Sequence, residues 1–255
     1  MMRIAVRPAA QHGFSLVEIA LVLVIISILL SAATVPLASL EGQRRERRLQ
    51  ADLSSVRDAL IAHMVSHGAL PCPVGPVASA GPLGSTSAPA GAGGQRSAVA
   101  THGRCATFRG GVPAAALSVA GAVDAAGALL DPWGRAYRFA LSDADDGTPG
   151  LPDWSVPGEP GAVGIERLRG SLSVCERPAA RCPRGALRAN DLVFVVLSHG
   201  ADAGGDGLQR QNLAPGGSFT LAPRSEVPAT RFDDALVWAS RSELVWWMLR
   251  AGRLP

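Results

Sequence analysis

The sequence predicts an α+β fold in which a long N-terminal helix packs on a small antiparallel sheet, with long loops and a short C-terminal helix. Three observations predict it: an apolar run that begins at residue 14, an apolar stripe at helical spacing after that run, and short apolar segments beyond residue 136 that have the length of strands. The chain has 255 residues, of which 47% are hydrophobic, and this is enough for one membrane anchor and one globular domain.

The charge of the chain argues against nucleic-acid binding. The formal net charge is +3, and it falls to about +1 without Arg3 and Arg7, which precede the apolar run. The one dense basic run, at residues 44–48, has Glu41 and Glu46 near it, so we interpret it as a solvated helical face. No nucleic-acid partner is expected.

The apolar run is long enough to cross a bilayer. Residues 14–40 are FSLVEIALVLVIISILLSAATVPLASL, and ~20 helical residues span the ~30 Å hydrocarbon core. A secretory signal places its small-residue cleavage site after the apolar region, whereas here the small residue, Gly13, comes before it. Cleavage after Gly13 would keep the helix in the mature protein, so we predict a leader at 1–13 and a transmembrane and assembly helix at 14–40.

One carboxylate, Glu18, lies inside the apolar run. A carboxylate in a membrane core costs ~2.5 kcal/mol or more on insertion scales, so such a group usually has a partner. The nearest cation is the α-amino group that cleavage would create on Phe14, in the same subunit or in a neighbour. The alternative is a carboxylate that reaches the membrane interface near the helix end.

The string GFSLVE at residues 13–18, followed by an apolar helix, resembles the class III signal of type IV pilins and type II secretion pseudopilins. The resemblance implies cleavage after Gly13 by a membrane prepilin peptidase and N-methylation of Phe14. It also implies that Glu18 neutralises the N-terminus of a neighbouring subunit during filament assembly. Pro36 resembles the proline that kinks the long helix of this family, since proline inside a helix removes a hydrogen bond and bends it.

The same resemblance implies a pilin-like fold, a place in the cell and a set of partners. The leader would be cytoplasmic, which Arg3 and Arg7 favour although the arginines at 44–48 oppose it. The helix would cross the bacterial inner membrane once, with a periplasmic globular domain, and the subunit would be extracted into a filament. The expected partners are other pilin or pseudopilin subunits, the prepilin peptidase, the membrane and the inner-membrane assembly platform.

Residues 41–67 predict the periplasmic half of the long helix. Apolar side chains recur there at steps of three and four residues: Leu49, Leu53, Val56, Leu60, Ile61 and Met64. This stripe should pack on the globular domain at 68–255. Gly68 followed by Pro71 is typical of a helix end.

Residues 71–112 are rich in Pro, Gly, Ala and Ser, and they predict a long flexible loop. Cys72 and Cys105 bracket this loop, and Cys175 and Cys182 bracket a shorter segment. Four cysteines in an exported domain favour two disulfides. Three pairings are open, of which we favour the local ones, 72–105 and 175–182. Zinc is the alternative, but the spacings contain no CxxC pair.

Three segments predict strands. Tyr137, Phe139 and Leu141 alternate as in a strand with one buried face, residues 192–197 (LVFVVL) predict a more buried strand, and residues 236–239 predict a short one. Residues 163–174 are a weaker candidate for a strand or hairpin.

The C-terminus predicts a short helix. Ser240 and Glu243 have the spacing of a capping box at its start. The adjacent Trp246 and Trp247 cannot share one helical face, so we expect one of them in the core and the other partly exposed.

The turn Asp-Pro-Trp-Gly at residues 131–134 leads into a strand, and this arrangement resembles the major pseudopilin of type II secretion systems. In that family the loop after a later strand binds Ca²⁺. The corresponding loop here is 197–207, and the candidate ligands are Asp202, Asp206, Asp233 and Asp234, because hard cations take carboxylate and carbonyl oxygens. Gly- and Asp-rich turns also occur without metal, so no cofactor is required and calcium is the candidate.

The sequence lacks the common motifs of hydrolases, P-loop enzymes and dinucleotide-binding enzymes. Ser198, His199 and Asp202 contain the residue types of a triad, but adjacent strand residues point to opposite faces. We therefore expect no enzyme but a structural subunit, a pseudopilin or minor pilin of a filament. The alternatives are a minor pilin that acts as an adhesin or a ligand- or DNA-binding subunit, and a membrane-tethered periplasmic enzyme.

Overall fold

The computed structural model describes residues 15–75, 104–143, 153–164, 166–203 and 205–254, with the backbone alone described at 29–39. The leader at 1–13, Phe14 and residues 76–103 of the predicted loop lie outside the described residues. The chain divides into two compact units, Met1–Arg45 and Glu46–Pro255. Helix α1, Leu16–His67, contributes residues to both.

In the first unit, Ser15 begins α1. Its Oγ accepts a hydrogen bond from the Val17 N–H at 3.3 Å, as a serine at a helix N-terminus does. The apolar side chains from Leu16 to Ile28 are exposed. Over the described part of the chain, no helix has both the length and the apolarity needed to cross a membrane. The backbone is helical at Pro36, and the kink predicted there stays a prediction.

In the second unit, the apolar stripe of α1 forms part of the core, as predicted. Leu49, Leu53 and Leu60 have no exposed surface, and the other members of the stripe are buried as well. The helix ends at His67, where Gly68 takes a left-handed φ of 72° and donates its N–H to the Met64 carbonyl at 2.9 Å. This is a glycine-terminated helix end of the kind the sequence predicted.

In the described part of the chain, six strands form one sheet: β1 Arg109–Gly111, β2 Arg138–Leu141, β3 Leu172–Cys175, β4 Leu187–Ser198, β5 Ser218–Thr220 and β6 Ala235–Ser240. The order is β1-β2-β4-β3-β5, and β6 also pairs with β4. The long strand β4 is antiparallel to β2, β3 and β6. The sheet is thus centred on the segment predicted as the most buried strand.

The α+β class is confirmed, but the sheet is mixed rather than antiparallel throughout. Strands β3 and β5 run parallel, with Ser173 opposite Ser218 and Cys175 opposite Thr220. A parallel pair needs a long connection, and residues 176–217, which include β4 and helix α3, Arg210–Leu213, supply it between β3 and β5. Because of this connection, β5 runs in the same direction as β3.

The structure also differs from the predicted segments in detail. Among the described residues of the weak candidate 163–174, only 172–174 belong to a strand, β3, and helix α2, Glu159–Ala162, precedes that segment. Strand β1 lies within residues 71–112, all of which were predicted as loop. Both favoured disulfides are present, with Cα separations of 5.3 Å for Cys72–Cys105 and 5.4 Å for Cys175–Cys182.

The two faces of the sheet carry separate apolar clusters. Strand β4 directs Phe194 and Val196 into the cluster that contains the α1 stripe, and Val195 and Leu197 into a second cluster that includes Phe219. This alternation follows from the two-residue period of a strand. Both faces of β4 are buried, which explains its continuous apolar sequence.

The C-terminal helix α4, Arg241–Arg250, starts at Ser240, whose Oγ accepts the Glu243 N–H at 3.3 Å. The Glu243 carboxylate contacts Arg57. The expectation that one tryptophan of α4 lies in the core is wrong, since Trp246 is 49% exposed and Trp247 37% exposed. Their places are taken by the buried residues of this helix, which are Leu244, Val245 and Met248.

Candidate functional site

The first candidate site is the N-terminal segment around Glu18. Glu18 lies in the first turn of α1, where its side chain is exposed and its N–H donates to the Ser15 carbonyl at 3.0 Å. Gly13 and Phe14 lie outside the described residues. The pairing of Glu18 with the amine of Phe14 therefore stays a prediction.

The second candidate site is built on the turn at residues 131–134. The Asp131 Oδ1 accepts hydrogen bonds from the N–H groups of Trp133 and Arg135, each at 2.9 Å. Gly134 has a φ of 80°, a conformation that glycine adopts without strain. The carboxylate thus closes the turn by capping its backbone, as aspartate does in turns of this type.

The same turn holds the segment that follows β4. The second oxygen of Asp131 accepts the Ser198 hydroxyl at 2.6 Å, and the Ser198 Oγ accepts the Gly200 N–H at 3.1 Å. Arg135 donates to the carbonyl of Gly200 and, at 2.9 Å, to that of Ala201. These contacts join positions more than 60 residues apart, and sequence reasoning did not identify Arg135.

Asp202 and Asp206 lie on the loop that this turn anchors. The Gln209 Nε2 donates to Asp202 at 2.7 Å and, more weakly, to Asp206 at 3.3 Å. Asp206 also forms an ion pair with Arg231 at 3.1 Å. Gln209 is fully buried, and its amide lies between these two carboxylates.

Asp233 approaches the same loop from the chain segment before β6. Its Oδ2 accepts the Ala201 N–H at 2.9 Å, while its Oδ1 is buried with no hydrogen-bond partner among the described residues. Burial, together with the charge and hydrogen bonding of the neighbouring Asp202, raises the pKa of Asp233 to about 6. The Asp233 carboxyl therefore takes up a proton in mildly acidic solution.

Asp234 points to different partners. One of its oxygens accepts from the Asn212 amide at 2.6 Å, and the other lies 3.2 Å from the His199 Nδ1. The Asn212 Nδ2 also donates to the Thr220 carbonyl in β5 at 3.0 Å, and the Asn212 Oδ1 accepts the Thr220 N–H at 2.6 Å. Asp234 thus links the loop after β4 to β5.

The four aspartates predicted as calcium ligands do not form one set of donors. Asp202 and Asp233 face each other, whereas Asp206 faces Arg231 and Asp234 faces His199. Within the described ranges, no group of three or more His, Cys, Asp or Glu side chains is placed to hold a metal ion. This geometry gives calcium binding no support, and calcium binding stays a prediction.

Ser198 and His199 bond to separate carboxylates. The Ser198 hydroxyl donates to Asp131, and the His199 ring contacts Asp234. The two residues therefore take part in different hydrogen-bond networks at the end of β4, and the structure assigns each a bond that holds the loop.

Comparison with known proteins bears on the N-terminal segment. Residues 8–34 match the prokaryotic N-terminal methylation motif. No curated protein and no solved structure matches the chain. The motif covers Gly13, Phe14 and Glu18, and it indicates a protein that is membrane-anchored and then exported. It implies processing by prepilin peptidase and assembly with other pilin subunits. The chain therefore carries, at its N-terminus, the signal of type IV pilins and pseudopilins.

Proposed function

We propose that the protein is a pseudopilin or minor pilin that assembles through its N-terminal helix into a type II secretion pseudopilus or a type IV pilus-like filament. The methylation motif at residues 8–34 carries this proposal. Prepilin peptidase would cut after Gly13, and the mature chain would cross the inner membrane once with its second unit in the periplasm. The assembly platform in that membrane would then move the subunit into the filament.

The exposure of the first part of α1 supports an assembly role. Apolar side chains are exposed around the helix, including Leu16 at 87%, Leu21 at 60% and Ile28 at 64%. A helix that is apolar on all sides needs cover from lipid or from other helices. In a filament, the equivalent helices of neighbouring subunits would give this cover.

Glu18 supports the same role. It is the only charged residue among residues 14–40, and a carboxylate in apolar surroundings is retained where it has a charged partner. The N-terminal amine of an adjacent subunit is such a partner, because cleavage creates it four positions before Glu18. The pair would fix the axial position of one subunit against the next.

A ligand-binding minor pilin is the second candidate. The exposed Trp246 and Trp247 rings meet edge to face at 4.7 Å, and the Arg250 guanidinium lies 5.3 Å from the Trp246 ring. Exposed tryptophan with arginine is typical of binding surfaces. Filaments that bind cells through this surface would favour a minor pilin, and binding lost on Trp246→Ala would identify the surface.

The test of the main proposal is charge reversal at Glu18 in the native host. Glu18→Lys should abolish filaments because two cations would then face each other, while cleavage after Gly13 continues. Glu41→Lys is the matched control, since it makes the same change in α1 at a side chain that is 72% exposed. Filament yield and the mass of the processed subunit are measured for both variants. Normal filaments from Glu18→Lys would contradict the proposal.

A further inference from the structure

Two arginines lie side by side on the sheet face that carries the second apolar cluster. Arg109 in β1 is opposite Ala140 in β2, and Arg138 lies two residues before Ala140 on the same strand. Residues two apart share a face, so Arg109 and Arg138 are diagonal neighbours, at a typical Cα separation of about 7–8 Å. Ala140 belongs to the second cluster, so both arginine side chains lie on the sheet face that carries this cluster.

Both arginines have a donor atom without a partner. The Nη1 atoms of Arg109 and Arg138 are buried, and neither has a hydrogen-bond partner among the described residues. The rest of the Arg109 guanidinium does have contacts, because its Nη2 donates to the Gly216 carbonyl at 2.7 Å and the group lies 5.1 Å from the Phe219 ring. A buried donor without an acceptor is destabilising, and here two occur on adjacent strands.

The charges of the two arginines are poorly compensated. Burial and, to a smaller extent, the positive charge of Arg138 together lower the pKa of Arg109 to about 10. Burial also lowers the pKa of Arg138, and Asp234 opposes that effect. Asp234 already accepts from Asn212 and contacts His199. The pair thus combines like charges, desolvation and unused donors, which are the conditions that a bound anion relieves.

We propose that Arg109 and Arg138 form a binding site for a small, doubly charged oxyanion of the phosphate or sulfate class. Guanidinium donors match the oxygens of such an anion in pairs. A dianion neutralises both arginines, whereas a carboxylate neutralises only one. Both side chains are only partly covered, so rotation of a guanidinium brings its buried Nη1 to an anion that enters from solvent.

The consequence of binding is local order at the joint between β1 and β5. Arg109 extends from β1 to the Gly216 carbonyl just before β5, and Arg138 begins β2. An anion held by both would bond these strands together on the face away from the α1 stripe. The inference concerns the second unit alone and does not depend on filament assembly.

The test is calorimetric titration of the full-length protein in maltoside detergent, at near-neutral pH and fixed ionic strength in chloride. The titrants are inorganic phosphate, sulfate, glycerol phosphate and acetate. Phosphate and sulfate should bind saturably at one site, and acetate at least about threefold more weakly. Binding of glycerol phosphate would show that the site accepts phosphate esters, and its failure would restrict the site to the free ions. An acetate affinity equal to that of sulfate, or no saturable binding, would overturn the proposal.

Variants test whether the Arg109 and Arg138 side chains bind the anion. Arg109→Gln and Arg138→Gln should each weaken phosphate binding at least about tenfold, since each removes a charge-assisted set of donors. Arg188→Gln is the control, because Arg188 is 60% exposed and pairs with Glu176 on the surface. Unchanged affinity in both pair variants would overturn the proposal.

Circular dichroism in chloride checks that each variant is folded. If the glutamine variants do not fold, Arg138→Lys keeps the charge and loses the planar pair of donors. It should bind phosphate at least about threefold more weakly than the wild type. Unchanged affinity in this variant would likewise overturn the proposal.

Discussion

Removal of the Asp131 carboxylate should destabilise the second unit far more than removal of an aspartate that only caps its own turn. Asp131 is 6% exposed and accepts three hydrogen bonds, from the N–H groups of Trp133 and Arg135 and from the Ser198 hydroxyl. Asp131→Ala removes all three. It also leaves the Ser198 hydroxyl without its acceptor at the start of the loop that follows β4.

Asp124 provides a matched control. Its Oδ1 accepts the N–H groups of Ala126 and Ala128 at 2.9 and 2.8 Å, in the same local pattern, with residues two and four positions later. Loss of local caps of this kind costs about 0.5–2 kcal/mol. A hydrogen bond to a buried charged group contributes about 1.5–3 kcal/mol more. We therefore expect about 1 kcal/mol for Asp124→Ala and about 3–4 kcal/mol for Asp131→Ala.

The assay is urea unfolding of the full-length protein in detergent, followed by tryptophan fluorescence. The unfolding free energy of the two variants and of the wild type should fall with urea concentration at the same slope. The urea concentration at the unfolding midpoint then reports the difference in stability. The single variant Ser198→Ala removes the hydrogen bond to Asp131 but leaves the turn cap in place. Its loss of unfolding free energy should therefore account for most of the difference between Asp131→Ala and Asp124→Ala. Equal losses for Asp131→Ala and Asp124→Ala, within about 0.5 kcal/mol, would refute the role of Asp131 as the anchor of the loop.

Two further predictions concern the core and the acidic loop. Leu53→Ala removes three fully buried carbons, so it should lower the free energy of unfolding in urea by about 3 kcal/mol. Ser54→Ala, at the exposed neighbouring position, should lower it by under about 0.5 kcal/mol. The pKa of Asp233 rises from its ordinary 3.8 to about 6 on folding, so the folded state retains a proton that the unfolded chain releases. Its contribution to stability is then full below the unfolded value and is lost as pH rises through about 6. Thermal melts across this window should show a smaller decline for Asp233→Asn, and an unchanged decline would contradict the assigned pKa.

The sequence predicts those helices and strands in which the apolar pattern repeats over enough residues. The α1 stripe repeats over four turns from Leu49 to Met64, and every member is buried. The strands β2, β4 and β6 are each at least four residues long, and each contains several apolar side chains. In such segments the side-chain pattern itself specifies which face is buried.

Short strands and strand direction are not predictable in the same way. Strand β1 has the sequence Arg-Gly-Gly, and two glycines carry no apolar pattern. Gly111 is required by close packing, because a Cβ there would lie 2.3 Å from the Ala128 Cβ. The parallel pairing of β3 with β5 joins Ser173 to Ser218, and a side-chain pattern does not specify the direction of a distant partner.

The acidic loop shows why composition alone does not predict the partners of each carboxylate. Asp202 and Asp206 follow β4 in the sequence, and Asp233 and Asp234 precede β6, but the neighbours of each carboxylate come from other segments. Gln209, Arg231 and Asn212 each bond one or more of them. Those partners depend on tertiary contacts, and the sequence contains no local pattern that would predict them.

The central claim is that the chain is processed and assembled as a pilin-type subunit, and the intact mass of the mature protein tests it most directly. Protein purified from the membranes of its native host should start at Phe14, with the mass of one added methyl group on that amine. Peptide sequencing of the N-terminus would locate the group. A mature protein that retains residues 1–13, or one cut at another position, would contradict the account.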